Sequence, residues 1–175
     1  MKKISLLLVA ILLVGMVTLT GCEPKREELK FNGEEGKITF NVKADKKYKI
    51  STNKDDFRTS REQAALIGDD FKIGIEFNDD FDYFFKSDFN KLKEKRKKDN
   101  KDFKEITYSD IDGIQYFYGG YMYYEVVLPV KNNKKYLLIL TVRGNEDNEK
   151  SAKAAIKNEE VLDILNHITE ISAKK

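Results

Sequence analysis

The chain carries one thiol, Cys22, and one imidazole, His167, so a nucleophilic relay or a histidine-ligated metal site would have to rest on a single copy of each. His167 lies between Ile164 and Ile171, beside an apolar stripe, which fits a packed or rim histidine better than a catalytic one. No Gly-x-Ser-x-Gly elbow, phosphate-cradling glycine loop, His-Glu-x-x-His or Cys-x-x-Cys occurs. The expectation is a protein that is not an enzyme and uses no cofactor.

Carboxylates are the next candidates. Asp55-Asp56, Asp69-Asp70 and the group Asp79, Asp80 and Asp82 could offer hard oxygen ligands to a calcium ion. Of these, Asp79, Asp80 and Asp82 are the first choice for a metal. None shows the alternating loop with a terminal Glu that calcium-binding hands use, and paired Asp also serves turns and helix starts. The densest local feature is Tyr116-Phe117-Tyr118-Gly119-Gly120-Tyr121-Met122-Tyr123-Tyr124, six aromatics and a methionine in nine residues. In a strand, alternate residues face opposite sides, so one set can be core while the other offers stiff, amphipathic contact area. Tyr118, Tyr121 and Tyr123 are the candidate ligand surface; the competing reading is that helices cover both faces and the strip is all packing.

Cys22 acquires a meaning from what precedes it. Met1–Lys3 carry two lysines, the stretch from Ile4 to Leu19 is almost wholly apolar, and it stops at Leu19-Thr20-Gly21-Cys22. This pattern resembles the lipobox of bacterial lipoproteins. The resemblance implies cleavage between Gly21 and Cys22, acylation of Cys22, and attachment to a membrane on its extracytoplasmic face. An apolar stretch of this length falls just short of the roughly 20 residues needed to span a bilayer, so a single transmembrane anchor is the weaker alternative. Two acyl chains hold a protein stably where one does so only marginally. The chain's preference for Lys, Asn and Ile over Arg and Ala suggests an AT-rich genome, hence a Gram-positive cell surface; in a two-membrane cell the same signal leads to the periplasm.

Charge excludes another class. The sequence has 32 Lys and Arg against 30 Asp and Glu, and the balance is even once Lys2 and Lys3 leave with the signal. A near-neutral domain has no general electrostatic case for nucleic acid. With 35% charged and 41% hydrophobic residues in periodic segments, the remainder is a folded domain of ordinary size.

Three regions are expected: a signal peptide over 1–21, a lipidated cysteine with polar tether over 22–36, and one globular domain over 37–172. Alternation predicts strands at Ile38–Val42 and Tyr48–Ile50, joined as a hairpin through Ala44-Asp45-Lys46. A second hairpin spans Ala64–Ile67 and Phe71–Phe77. From Asn78 the period becomes helical through Phe81, Phe84, Phe85, Phe89 and Leu92. Lys91, Lys93, Lys95, Arg96, Lys97 and Lys98 then crowd the helix end, either as a solvated face or as a dock for anionic polymer or head groups. A meander follows in Phe103–Tyr108, Ile114–Tyr118, Tyr121–Val130 and Lys135–Val142. Gly119-Gly120 breaks or bulges its ladder. Asn158 caps a last helix with the stripe Val161, Ile164, Leu165, Ile168 and Ile171.

This order resembles the PsbP-like fold, on Ile38-Thr39-Phe40, Asp112-Gly113-Ile114-Gln115-Tyr116, Lys135-Tyr136-Leu137-Leu138, Gly144 and the ending Ile168-Thr169-Glu170-Ile171. The family's turn after the first strand is replaced by Ala44-Asp45-Lys46-Lys47, and the chain has no Trp. The resemblance implies an α+β domain, an antiparallel sheet of six to eight strands with helices packed on it as an α/β/α sandwich, and a small binding or assembly-assisting module. Two functions follow as expectations. The first is a membrane-anchored binding module for a protein or cell-envelope component, without nucleic acid. The second is a structural or assembly factor for another exported or membrane protein, possessing a metal response.

Overall fold

The computed structural model describes residues 23–86, 88–108, 111–129, 135–146 and 148–174. Gly21, Cys22 and the expected signal lie outside the described residues, as does the Asp82 side chain. The fold is α+β, with two antiparallel sheets and four α-helices packed against them.

The seven-stranded sheet runs β3 (Lys49–Ser51), β4 (Ala64–Ile67), β5 (Phe71–Asn78), β9 (Lys135–Gly144), β8 (Tyr121–Pro129), β7 (Ile111–Tyr118), β6 (Lys101–Tyr108). Its centre is β9, flanked by β5 and β8; β8 and β9 carry the most continuous apolar sequence. On one face Phe71, Ile73 and Ile75 of β5, Leu138, Leu140 and Val142 of β9, and Val126 of β8 are fully buried. They pack on Ile38, Phe40 and Val42 of β2 (Gly36–Lys43) and on Val161, Ile164 and Leu165 of helix α4 (Glu159–Asn166). Helix α3 (Glu149–Lys157) adds Ala155 to the same core. The opposite face carries a smaller core, in which Leu137, Ile114 and Tyr116 meet Phe81 of helix α1 (Phe81–Phe85) and Leu92 of helix α2 (Phe89–Asp99). These two helices cover only part of that face. Among the described residues no helix is long and apolar enough to cross a membrane.

Four expectations are corrected. The stretch assigned to a polar tether is strand β1 from Arg26 to Asn32: Leu29 and Phe31 pack on the core while Glu28 and Lys30 face water. The strand at Ile38–Val42 does not form a hairpin with Tyr48–Ile50. β2 pairs with β1 and with β10 (Ile168–Ala173) in a separate three-stranded sheet, while β3 pairs with β4. Alternation identifies a strand but not its partner, and the turn at Ala44–Lys46 carries the chain from one sheet to the other. The helix after Asn78 is two helices, broken where Lys86 adopts φ 50° and Asp88 starts a new N-terminus. The last helix ends at Asn166, so Ile168 and Ile171 belong to β10; β-branched residues at spacings of four and three satisfy a helical stripe and a strand alike. Asn158 is the N-cap of α4, as its position suggested. Gly119 and Gly120 break the ladder, the first of the two alternatives, and do so without a bulge. They form a two-residue hairpin turn with φ of 59° and 88°, the left-handed conformation that such turns require.

Helix α2 is strongly polar and fully buries only Leu92, so its start depends on the Asp88 cap, which accepts from the backbone N–H groups of Asn90 and Lys91 at 3.0 and 3.3 Å. Asp88→Ala is expected to cost about 1 kcal/mol, read as a drop of roughly 2–4 °C in melting temperature.

Candidate functional site

The part of the second sheet face left open by α1 and α2 is a cleft with a volume of about 510 Å³. The pleat sets its floor. Even-numbered residues of β5 and odd-numbered residues of β8 and β9 point into it. Register then places Glu76 beside Ile139 and Ile139 beside Glu125, with Thr141 beside Tyr123 and Tyr123 beside Tyr116 in the next row. One wall is the loop 58–61, and the other is the α1–α2 pair, with Phe84, Phe85 and Lys95.

The loop is pinned to the sheet. Glu62 and Arg143 are both buried, and their side chains meet in two hydrogen bonds, Nη1 to Oε1 at 2.8 Å and Nη2 to Oε2 at 3.1 Å. Glu62 Oε2 also accepts the backbone N–H of Arg58 at 3.0 Å. The Glu62 carboxyl occupies the space above Gly74, where an added Cβ would fall 2.4 Å from it.

Arg58 is thereby held over the floor. Its Nη2 donates to the Tyr123 hydroxyl, and its guanidinium carbon lies 4.1 Å from the Tyr121 ring centre and 5.7 Å from that of Tyr123. Its Nε is buried with no hydrogen-bond partner. Across the floor, the half-buried Glu76 accepts from the Asn78 amide at 2.8 Å. Among the described residues neither Arg58 nor Glu76 has an ion-pair partner within 4 Å. The remaining buried carboxylate, Glu125, is saturated. Arg96 donates to both its oxygens, at 2.8 and 3.1 Å, and the Tyr116 hydroxyl donates at 2.6 Å. Tyr116 stacks on Tyr123 with ring centres 5.2 Å apart, and burial, reinforced by Glu125, drives its hydroxyl far above the ordinary phenol range, so it stays a donor.

Burial raises the Glu76 carboxyl above its ordinary value; Asn78 and Arg61 pull it back, while Glu62 and Glu125 push it further up. The folded chain therefore holds this proton at pH values where the unfolded chain has lost it. Stability declines as pH rises from the ordinary carboxylate range through the raised value, and stays lower above it. Glu76→Gln is expected to raise the melting temperature at pH 7 by a degree or two, a gain of less than about 1 kcal/mol because the group is partly solvated. Below pH 4 the gain should vanish; melting curves at several pH values check it.

The tyrosines singled out in the sequence fall on one face. Tyr118 is 61% exposed and lines the cleft with Tyr123, while Tyr121 lies beneath Arg58. Their alternates Phe117, Met122 and Tyr124 pack on the main core. Asp79 is exposed, and Asp80 lies at the cleft rim 3.8 Å from Arg61. Among the described residues no three His, Cys, Asp or Glu side chains converge to hold a metal ion. His167 caps the C-terminus of α4, its Nδ1 2.7 Å from the Asp163 carbonyl oxygen, and takes no part in the cleft.

Sequence reasoning missed Arg58, Glu76 and Glu125, and placed Arg96 only within the basic cluster at the helix end, not against a buried carboxylate. Two of them carried a signal: Glu125 interrupts the apolar run Tyr121–Leu128, and Glu76 is the one acid in the alternating strand Phe71–Phe77. Arg58 and Arg96 have no such mark. No family model, curated protein or solved structure matches the chain.

Proposed function

We propose that the protein is a membrane-anchored, extracytoplasmic and non-enzymatic binding module that takes a protein or cell-envelope component into the cleft between loop 58–61 and helices α1 and α2. The observation that carries this reading is the pairing of aromatic surface with charged groups in one concavity. Tyr118 and Phe84 are 61% and 63% exposed, and among the described residues Arg58 and Glu76 have no ion-pair partner within 4 Å. Concave sites that mix apolar walls with a few placed polar groups are where ligands bind.

The anchoring half of the reading rests on Leu19-Thr20-Gly21-Cys22. The Lys25 carbonyl accepts the Ala44 N–H at 2.8 Å, so only Glu23 and Pro24 separate Cys22 from the folded chain. With Cys22 acylated, roughly 10 Å of backbone would hold the domain directly against the membrane surface.

The test is in-cell photo-crosslinking of the epitope-tagged full chain, followed by mass spectrometry. The comparison is a Tyr118→Ser, Phe84→Ser variant, because these exposed rings can be removed without touching Tyr121 or Tyr123, which support Arg58. Adducts found with the native chain and lost in the variant at equal protein level are expected. The same adducts with both chains would exclude the cleft. Cys22→Ala is expected to release the protein from the membrane fraction.

A further inference from the structure

The cleft holds one guanidinium, Arg58, and one carboxylate, Glu76, that have no ion-pair partner within 4 Å among the described residues, and the strands that carry them limit what can satisfy both. Glu76 stands on β5, and Arg58 reaches the Tyr123 hydroxyl on β8, with β9 between them. Two strand spacings are about 10 Å. The Tyr123 row also lies two residues along the strands from the Glu76 row, and an extended chain of two or three residues, at roughly 3.5 Å each, matches that span better than a single amino acid, whose charged ends lie only a few ångströms apart.

Building on the binding-cleft reading, we infer that the cleft takes a short peptide of two or three residues with free ends, its ammonium on Glu76 and its carboxylate on Arg58. The partner chemistry follows from the groups. A planar guanidinium is suited to grip a carboxylate through two parallel N–H donors, and Arg58 is already oriented by the Tyr121 and Tyr123 rings, so little freedom is lost on binding. A half-buried carboxylate accepts an ammonium better than it tolerates standing alone. Between the two ends, Ile139 and Thr141 form the floor and Tyr118 and Phe84 the open sides, an amphipathic bed for a peptide's side chains. The other cations of the cleft are committed or peripheral: Arg96 to Glu125, Lys95 near the Phe85 ring, and the exposed Arg61 toward Asp80. The two ends are thus read by different residues, and each can be removed separately.

The experiment is native mass spectrometry of the detergent-solubilised full chain with three tripeptide libraries of the same sequences: free, N-acetylated and C-amidated. Free tripeptides are expected to be retained, and each cap to weaken retention about tenfold or more, since each removes one charge-assisted contact. In Glu76→Gln the penalty for acetylation should disappear while that for amidation persists. Arg58→Gln should do the reverse, and Arg58→Lys should keep part of the amidation penalty. Because Glu76→Gln is expected to melt higher than the native chain, its loss of binding cannot be put down to unfolding. Retention that is indifferent to both caps but lost in Tyr118→Ser would overturn the peptide-end assignment and leave the cleft reading intact. Retention of no library would overturn the assignment as well, and crosslinking would then decide the cleft reading by itself.

Discussion

Arg143→Met is expected to destabilise the fold by about 3–5 kcal/mol, lowering the melting temperature by roughly 10 °C or more. Arg143 and Glu62 keep only 8% and 2% of their side-chain surface exposed, and Arg143 is the sole cation paired with that carboxylate among the described residues. Removing it strands a charge where water cannot reach, which costs far more than the pair itself contributes. The Glu62→Leu, Arg143→Met double variant should therefore recover most of the loss, because replacing both partners by apolar groups of similar size is often close to neutral. Gly74→Ala reaches the same pair from below. The added methyl would sit 2.4 Å from the Glu62 carboxyl, and since Glu62 is held by Arg143 and by the Arg58 N–H it has nowhere to go. Denaturant unfolding of Glu62→Leu, Arg143→Met and the double variant measures the coupling; simple additivity of the two single changes would show that the pair does not act as a unit. A second readout ties stability to the site. Loop 58–61 depends on Glu62, so Arg143→Met should also lose the cleft's ligand contacts at temperatures where it is still folded.

The central strands were legible because their pattern is strong: the hairpin of β4 and β5 and the meander β6 to β9 follow from alternation and turn residues alone. What was not legible is pairing at a distance. β1 hides among charges, with only Leu29 and Phe31 to mark it, and β10 hides inside a stripe that a helix would also satisfy. Both are edge partners of β2, so the three-stranded sheet was invisible as a unit. The aromatic strip pointed to the right face, since Tyr118, Tyr121 and Tyr123 share a side once the Gly119-Gly120 turn sets the register. The charged half of the cleft did not show, because an Arg in a loop or on a polar helix looks like any solvated residue until the sheet beneath it is known.

The Glu125 cluster makes the second large prediction, and removing the carboxylate's charge separates two explanations. Glu125 is 1% exposed and receives three hydrogen bonds, two from Arg96 and one from Tyr116. Arg96→Met leaves only the Tyr116 hydroxyl, and the loss is expected to reach about 3 kcal/mol at neutral pH, the low end for a broken buried pair because Arg96 itself is about a quarter exposed. Tyr116→Phe should cost less, about 1–2 kcal/mol, since both Arg96 bonds remain. Removing the charge should undo the loss, so Arg96→Met should cost less stability in a Glu125→Gln background than in the native chain. If the loss instead came from the packing of the Arg96 stem against the Tyr116 ring, 5.2 Å from its guanidinium, it would be the same in both backgrounds. Urea unfolding of the native chain, the two single variants and the double variant decides it: a loss that shrinks with Glu125→Gln assigns Arg96 to charge compensation under the cleft floor, and a constant loss assigns it to packing.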